Sequence, residues 1–253
     1  MAITVHSLPV LRDNYAYVVD TGGSLLIVDP GEAGPVLEWL KRQDKVPAAI
    51  LITHLDHDHI GGVSALREAY ANIPVFSPAP FSGARDAIPV VEGQGIDLAG
   101  LAFEVLDLPG HASPHVGYFL REEGILFVGD VLIGGACGRL FGHPPELLYT
   151  SLRKVAALPP ETLLYFGHEY TEANMRFALT VDPENPALIE RIGRVEALRR
   201  DGLPTVPTTL AEEMATNPFV RCGELGFRSL PGLRAAASDL EVFTVLRRMK
   251  DQF

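Results

Sequence analysis

The stretch that decides the fold is residues 53–62, which read T-H-L-D-H-D-H-I-G-G. It follows the apolar run 49–52, which predicts a buried strand, and it precedes a short predicted helix at 61–70. Imidazole and carboxylate groups crowded at a strand end are costly to bury unless a cation lies among them. Divalent metals favour these two ligand types. The stretch therefore predicts a metal site, the alternative being a solvated polar loop.

Three positions downstream repeat the pattern of a histidine or aspartate beside a glycine. They are Gly110-His111, Gly129-Asp130 and Gly167-His168, and each lies shortly after an apolar run that predicts a strand. Strand ends at one edge of a layered fold converge on one site. A lone histidine is more often an ordinary core or surface residue, but three such positions together with the 53–62 stretch favour a shared site.

The rest of the first 170 residues alternates short strands with helices. Apolar runs at 16–19 and 25–28 flank a Gly-Gly turn and predict a hairpin, and helical spacing appears at 35–42 and 146–158. Two strand-rich halves with interspersed helices predict a layered α/β sandwich.

From about residue 171 the pattern becomes helical. Apolar residues recur at helical spacing in 187–200, and a Ser238/Glu241 capping box begins a last helix. We therefore expect a domain at 1–170 that binds metal and a helical, substrate-binding subdomain at 171–253.

Composition narrows the function classes. Asp plus Glu outnumber Lys plus Arg by 32 to 21, giving a formal net charge of −11, so a nucleic-acid partner is not expected. The two cysteines form no CxxC pair. The first ten residues lack the basic start and long apolar run of a signal peptide, and no run approaches the roughly 18 apolar residues of a membrane span. We expect a cytoplasmic protein that does not associate with a membrane.

The pattern H-x-H-x-D-H, followed by a distal histidine, aspartate and histidine, resembles the metallo-β-lactamase superfamily. Within it, the chain is most similar to the hydroxyacylglutathione hydrolase (glyoxalase II) family over essentially its full length. The segments that carry this likeness are D-N-Y at 13–15, V-D-P-G at 28–31, P-G-H at 109–111, C-G-R at 137–139, G-H-E-Y at 167–170 and K-D-Q-F at 250–253. The resemblance implies an αββα sandwich with a C-terminal helical subdomain, and a monomer.

The resemblance also implies a two-metal hydrolase. Zinc is the metal expected, with iron or manganese as alternatives. One metal would take His54, Asp56 and His111, the other would take Asp58, His59 and His168, and Asp130 would bridge them. Water held between the metals would attack the thioester of S-D-lactoylglutathione or related 2-hydroxyacylglutathiones, yielding glutathione and D-lactate in methylglyoxal detoxification. Asp58 and Asp130 are the carboxylates expected to serve catalysis, Asp58 by orienting the nucleophile.

The chain departs from the family pattern at position 56, where aspartate stands in place of the second histidine. Either Asp56 takes the ligand place directly, or His57 swings in after a local backbone change. We favour Asp56 because its spacing from His54 is kept and Asp58 and His59 stay in frame. A harder ligand at this place implies a weaker first metal site or an altered metal preference.

The resemblance further implies a glutathione site. Arg139, Arg247 and Lys250 would hold the glycine carboxylate, the last two sharing one helix face, and Tyr170 would add a hydroxyl contact. Phe141 stands where the family often has tyrosine, so one hydrogen bond is expected to be missing. From the residues alone, the basic residues of the last helix could equally be a solvated helix end.

Two other functions remain as alternatives. One is a glutathione persulfide dioxygenase with a single iron, against which the long helical tail argues. The other is a metal-poor binding protein that has lost the first metal through the change at Asp56. A nuclease is disfavoured by the net charge.

Overall fold

The computed structural model describes residues 3–71 and 73–253, which divide into two compact units. The first unit contains the described residues up to Asp107 together with Ala112–Gly129. The second contains Leu108–His111 and Asp130–Phe253. Both units contain strands and helices.

A six-stranded sheet forms one part of the first unit. Its strands, in spatial order, are β1 (Thr4–Val10), β2 (Asn14–Asp20), β3 (Leu25–Val28), β4 (Pro47–Leu51), β5 (Val75–Ser77) and β6 (Ile88–Pro89). Strands β1 to β3 pair antiparallel, and β3 to β6 pair parallel. The predicted hairpin is β2 and β3, confirmed with the register Val18 opposite Ile27.

Three helices accompany this sheet: α1 (Ala33–Gln43), α2 (His57–Ile60) and α3 (Val63–Ala69). Helix α1 buries Val36, Trp39 and Leu40, the stripe expected of an amphipathic helix. The helix predicted at 61–70 is confirmed as α3, which begins two residues later than predicted, and α2 is a separate turn of helix that begins at His57. Glycines separate the two helices: a side chain at Gly62 would lie 2.5 Å from the carbonyl oxygen of Pro30, so only glycine fits there.

The parallel pairing of β3 and β4 positions Asp29 and the stretch at residues 53–59. Both strands run in the same direction and end at neighbouring places, Val28 and Leu51. Asp29 therefore lies beside Thr53, and residues 53–59 leave the same edge. The carboxyl ends of parallel strands are where α/β proteins usually place ligands.

The other strands of the first unit form an antiparallel ladder. They are β7 (Gly95–Leu98), β8 (Leu101–Asp107), β9 (Val116–Leu120) and β10 (Ile125–Gly129). Strands β9 and β10 are buried along their whole length, which explains their continuous apolar sequence.

The second unit is predominantly helical. Its strands are β11 (Leu132–Ile133), β12 (Ala136–Cys137), β13 (Leu163–Phe166) and β14 (Thr208–Thr209). Its helices are α4 (Pro145–Ala156), α5 (Thr171–Val181), α6 (Pro186–Arg200), α7 (Leu210–Thr216) and α8 (Asp239–Gln252), with a 3-10 turn at Leu225–Ser229. Strands β11 and β12 pair with each other, as do β13 and β14.

The start of α8 confirms the predicted capping box. The Ser238 hydroxyl accepts from the Glu241 backbone N–H, and the Glu241 carboxylate accepts from the Ser238 N–H. Two otherwise unsatisfied donors at the helix start are thereby paired. Among the described residues, none of these helices has the length and apolar content that a bilayer crossing requires.

Candidate metal centre

In the first unit, four predicted ligands lie together, which we call the first ligand cluster: His54, Asp56, Asp58 and His59. The two imidazoles are buried, with ring centroids 4.0 Å apart. The Nε2 atom of His54 lies 3.7 Å from the Asp56 carboxylate, and Nε2 of His59 lies 4.0 Å from the Asp58 carboxylate. Each histidine thus turns one nitrogen toward an acidic side chain, an arrangement suited to a divalent cation.

Position 56 is geometrically distinct from its neighbour at 57. Asp56 is the residue before α2 and keeps extended backbone geometry, with its carboxylate close to His54. His57 is the first residue of α2, and its side chain is exposed. The carboxylate of Asp56 is 47% exposed, so it lies at the rim of the cluster.

Asp29 orients both histidines of the first ligand cluster. Its Oδ2 atom lies 3.1 Å from Nδ1 of His59 and accepts the Thr53 hydroxyl at 2.7 Å, and its Oδ1 accepts the Thr53 N–H at 2.8 Å. Because the single hydroxyl hydrogen of Thr53 goes to Asp29, the Thr53 oxygen acts as acceptor toward Nδ1 of His54, 3.0 Å away. Both imidazoles then carry their hydrogen on Nδ1, which leaves Nε2 as the ligand atom.

The backbone of Asp29 has a φ of +48°, in the left-handed region that few non-glycine residues adopt. Strain of this kind is typical of functional sites. The contact between Asp29 and His59 is the kind that fixes the orientation and tautomer of a ligand histidine.

The second unit holds three predicted ligands, which we call the second ligand cluster: His111, Asp130 and His168. The Oδ2 atom of Asp130 lies 2.9 Å from Nε2 of His168 and 3.5 Å from Nε2 of His111. All three side chains are buried. One carboxylate oxygen facing two imidazole nitrogens again suits a divalent cation, and Nδ1 of His111 donates to the carbonyl oxygen of Arg139 at 3.0 Å.

Two partly exposed aromatic rings border the second ligand cluster. Tyr170 stacks on His168 with centroids 4.6 Å apart and planes 9° from parallel. Phe141 meets His111 edge-on at 5.3 Å, and its φ is +45°. Both rings are predicted substrate contacts, and 69% of Phe141 and 38% of Tyr170 is exposed.

The three predicted cationic substrate contacts differ in their surroundings. Arg139 is exposed. The Lys250 ammonium lies 5.5 Å from the ring centroids of both Phe177 and Phe253. Burial, and then the nearby positive charges of Arg247 and Arg139, lower the pKa of Lys250.

Arg247 is only 3% exposed, unlike the other two cations. Its Nη1 donates to the carbonyl oxygen of Cys137 at 2.8 Å, its Nη2 pairs with Asp251 at 2.9 Å, and its guanidinium lies over Phe219. A contact between Arg247 and substrate therefore stays a prediction.

Neither cysteine has the surroundings of a nucleophile. Cys137 and Cys222 are both buried and unbridged. Burial raises the pKa of Cys137 to about 11 and that of Cys222 to about 12, so both thiols are neutral at physiological pH.

Sequence reasoning missed several supporting contacts of the first ligand cluster. Asn14 donates from Nδ2 to the Asp58 carboxylate at 2.9 Å, and the His115 ring stacks on His54 with centroids 4.7 Å apart. A polar residue at the start of β2 was the available signal for Asn14. No local pattern could have indicated His115, since it lies 61 residues beyond His54.

Comparison with known proteins places this chain in a family. A family model described as the metallo-beta-lactamase superfamily matches residues 10–168, and one described as the hydroxyacylglutathione hydrolase C-terminus matches residues 169–253. A hydroxyacylglutathione hydrolase of Cereibacter sphaeroides (strain ATCC 17025 / ATH 2.4.3) is 42% identical, with the alignment covering 100% of both chains.

Solved structures support the metallo-β-lactamase fold. The crystal structure of BLEG-1 B3 metallo-beta-lactamase is 28% identical with a TM-score of 0.64, covering 86% of this chain and 99% of that one. The structure of TTHA1623 in a di-iron-bound form is 30% identical with a TM-score of 0.60, covering 85% and 99%. These matches confirm the predicted fold class, a metallo-β-lactamase α/β fold with a C-terminal helical region. The chain belongs to the hydroxyacylglutathione hydrolase family of the metallo-β-lactamase superfamily.

Proposed function

We propose that this protein hydrolyses the thioester of S-D-lactoylglutathione and related 2-hydroxyacylglutathiones to glutathione and the free 2-hydroxy acid, with D-lactate as the typical product. The observation that carries the proposal is the match of residues 169–253 to the C-terminal model specific to hydroxyacylglutathione hydrolases, joined to a metallo-β-lactamase match that contains both ligand clusters. Such a reaction belongs to methylglyoxal detoxification. We also propose that the protein is cytoplasmic and monomeric and has neither nucleic-acid nor membrane partners; the net charge of −11 supports the absence of a nucleic-acid partner.

We assign seven ligands to two divalent metals. His54, Asp56 and His111 would hold one metal, Asp58, His59 and His168 would hold the other, and Asp130 would be shared. The donor chemistry supports this assignment, because four imidazoles with Nδ1 engaged or Nε2 facing a carboxylate match the preference of zinc and related metals. Iron and manganese are the alternatives, and the di-iron form of TTHA1623 supports the first of these.

Asp56 is the position at which this chain departs from the family's H-x-H-x-D-H pattern. A carboxylate where the family pattern has imidazole makes the first site harder, which favours manganese or iron relative to zinc at that place. Its spacing from His54 and the 3.7 Å approach to Nε2 support Asp56 over the exposed His57 as ligand.

Bound divalent metals would supply an activated water near neutral pH and polarise the thioester carbonyl. The chain's own residues do the positioning. Asn14 holds the Asp58 carboxylate, which would orient the attacking water, and Asp130 presents one oxygen to both His111 and His168. The departing thiolate is a stable anion, so no side chain is needed to protonate it.

The glutathione moiety would bind along the second unit. Arg139 and Lys250 would pair with the glycine carboxylate, with Arg247 behind them. Burial, and then the positive charges of Arg247 and Arg139, lower the pKa of Lys250, and an anion bound among these three cations would offset their repulsion. Tyr170 would donate its hydroxyl, and Phe141 would contribute apolar contact only. One family model ends at residue 168 and the other begins at residue 169. This boundary supports a metal-binding domain at 1–170 and a substrate-binding subdomain at 171–253.

Hydrolysis of S-D-lactoylglutathione, with metal content determined on the same sample, tests the proposal. Asp130→Asn is expected to lose turnover, and Asp97→Asn, an exposed strand aspartate, is the matched control that keeps it. Turnover by wild type with close to two metals per chain supports both the reaction and the ligand assignment. No turnover after loading with zinc, manganese or ferrous iron would reject the reaction, and oxygen consumption with glutathione persulfide would then identify a dioxygenase.

A further inference from the structure

The β11–β12 hairpin, residues 132–137, is buried along its whole length, but its two strands form few backbone hydrogen bonds with each other. Its two strands share only two residue pairs, around the turn Gly134-Gly135. Buried peptide groups that lack hydrogen bonds are costly, so this hairpin needs partners from elsewhere.

Side chains from the C-terminal helices supply those partners, and we call them the four anchors. They engage consecutive peptide groups of the hairpin. Asn174 donates to the carbonyl oxygens of Ile133 (3.2 Å) and Gly134 (3.1 Å), Glu213 accepts from the N–H of Gly135 (3.0 Å), Asn217 donates to the carbonyl oxygen of Ala136 (2.9 Å) and Arg247 donates to that of Cys137 (2.8 Å).

Glu213 is the central anchor and is fully buried. Its charge is compensated by Arg191, itself 2% exposed, at 2.5 Å, and Asn217 donates to its second oxygen at 2.8 Å. A buried carboxylate with three partners has little freedom to move, and removing one partner of such a pair is strongly unfavourable. The Gly135 peptide is therefore held in a fixed place.

The hairpin in turn borders the second ligand cluster. Asp130 lies two residues before β11, and Arg139, whose carbonyl oxygen accepts from His111 Nδ1, lies two residues after β12. A side chain at Gly138 would lie 2.1 Å from the carbonyl oxygen of Asp130 and 2.8 Å from Nδ1 of His111. Packing this close means that a small hairpin displacement moves both ligands.

We propose that the four anchors are positioning residues for the second ligand cluster. They hold the hairpin in place, and the hairpin fixes the positions of Asp130 and of the Arg139 carbonyl oxygen. Asp130 and His111, which donates to that carbonyl, are thereby kept in the geometry that metal binding requires. The C-terminal helices thus contribute to metal retention as well as to substrate binding. This inference rests on the metal assignment of the proposed function, and its kinetic readout rests also on the proposed reaction.

The test compares two anchor variants with a matched control in the same helical region. Asn174→Ala removes two hydrogen bonds to the hairpin without changing charge, and Glu213→Gln removes the buried charge. Asn185→Ala is the control, because Asn185 caps α6 and donates to the carbonyl oxygen of Ala215, with no hydrogen bond to the hairpin. The readouts are zinc retained against a chelator series, the visible absorption of the Co²⁺-loaded protein, and kcat and KM measured separately.

Both anchor variants are expected to retain zinc at least about tenfold more weakly, with a changed Co²⁺ spectrum and kcat lowered more than KM is raised. Asn185→Ala is expected to lower the thermal midpoint while keeping wild-type retention and spectrum. Folded anchor variants with wild-type retention, spectrum and kcat would overturn the proposal; if Glu213→Gln does not fold, Asn174→Ala decides. Wild type that retains metal without hydrolysing the thioester would reject the proposed function alone, and wild type that retains none would reject both.

Discussion

Replacing Asp29 by asparagine should reverse the tautomers of two ligand histidines at once. The Oδ1 atom must continue to accept from the Thr53 N–H at 2.8 Å, so the new amide group would take the place of Oδ2. That group can only donate, so Nδ1 of His59 would have to accept, and the Thr53 hydroxyl hydrogen would turn toward His54. Both imidazoles would then carry hydrogen on Nε2, the atom that is expected to ligate.

The expected magnitude follows from these contacts. Under the proposed assignment each metal would take one of the two histidines, and binding would require each ring to return to its original tautomer against a hydrogen bond. We expect affinity to fall by about 10- to 100-fold for each metal, or about 1.4 to 2.7 kcal/mol. The backbone should tolerate the change, because asparagine is among the residues best suited to the left-handed φ of +48° at this position.

Chelator competition would measure the affinity, and nitrogen-detected NMR of the metal-free protein would report the two tautomers. Asp44→Asn is the matched control, since Asp44 is also left-handed, at φ +52°, but is exposed at the end of α1. Asp29→Asn with affinity within about twofold of wild type and unchanged tautomers would refute the reasoning.

Four further outcomes are expected. Asp130→Ala should abolish turnover with the fold intact by circular dichroism, and measurable kcat would argue against a shared ligand. Phe141→Tyr should lower KM for S-D-lactoylglutathione by roughly threefold to tenfold at constant kcat, the worth of one added hydrogen bond; an unchanged KM would remove this residue from the glutathione site. Ser238→Ala should lower the free energy of unfolding by about 1 kcal/mol in urea titrations without affecting kcat, and equal stability would mean that the capping box contributes nothing. Burial raises the pKa of Cys137 to about 11 and that of Cys222 to about 12. The stability gained by burying the two neutral thiols should be complete below the ordinary thiol pKa of 9.0 and should be lost as the pH rises through the two folded-state pKa values. Urea unfolding that shows no loss of stability between about pH 8 and about pH 11 would contradict this.

Local patterns were sufficient for much of the fold. The hairpin of β2 and β3, strand β10 and the start of α8 are confirmed, because each depends on a turn, a continuous apolar run or a cap within a few residues. The helix predicted at 61–70 corresponds to α3, whereas the turn of helix at His57–Ile60 was not predicted, because four residues are too few to show an apolar periodicity.

Prediction of the site was limited in the same way. The first ligand cluster is visible in the sequence because its members are contiguous. Arg247 shows what a pattern cannot give, because a helical spacing places it on one face with Lys250 but does not say that the hairpin covers its guanidinium. Arg191 likewise looks like an ordinary polar residue of an amphipathic helix, and only its neighbour Glu213 makes its burial possible.

The spacing of the ligands along the chain has a consequence for assembly. His54 and His59 are five positions apart, whereas His111 and His168 are 168 − 111 = 57 apart. By polymer statistics, bringing the second pair together costs about 2 kcal/mol more chain entropy than the first. Under the proposed assignment, however, each metal would take ligands from both clusters, and His54 lies 57 positions before His111 while His59 lies 109 positions before His168. Each metal would therefore act as a cross-link that restrains a long loop, and stripping the metals should lower the free energy of unfolding by releasing both loops.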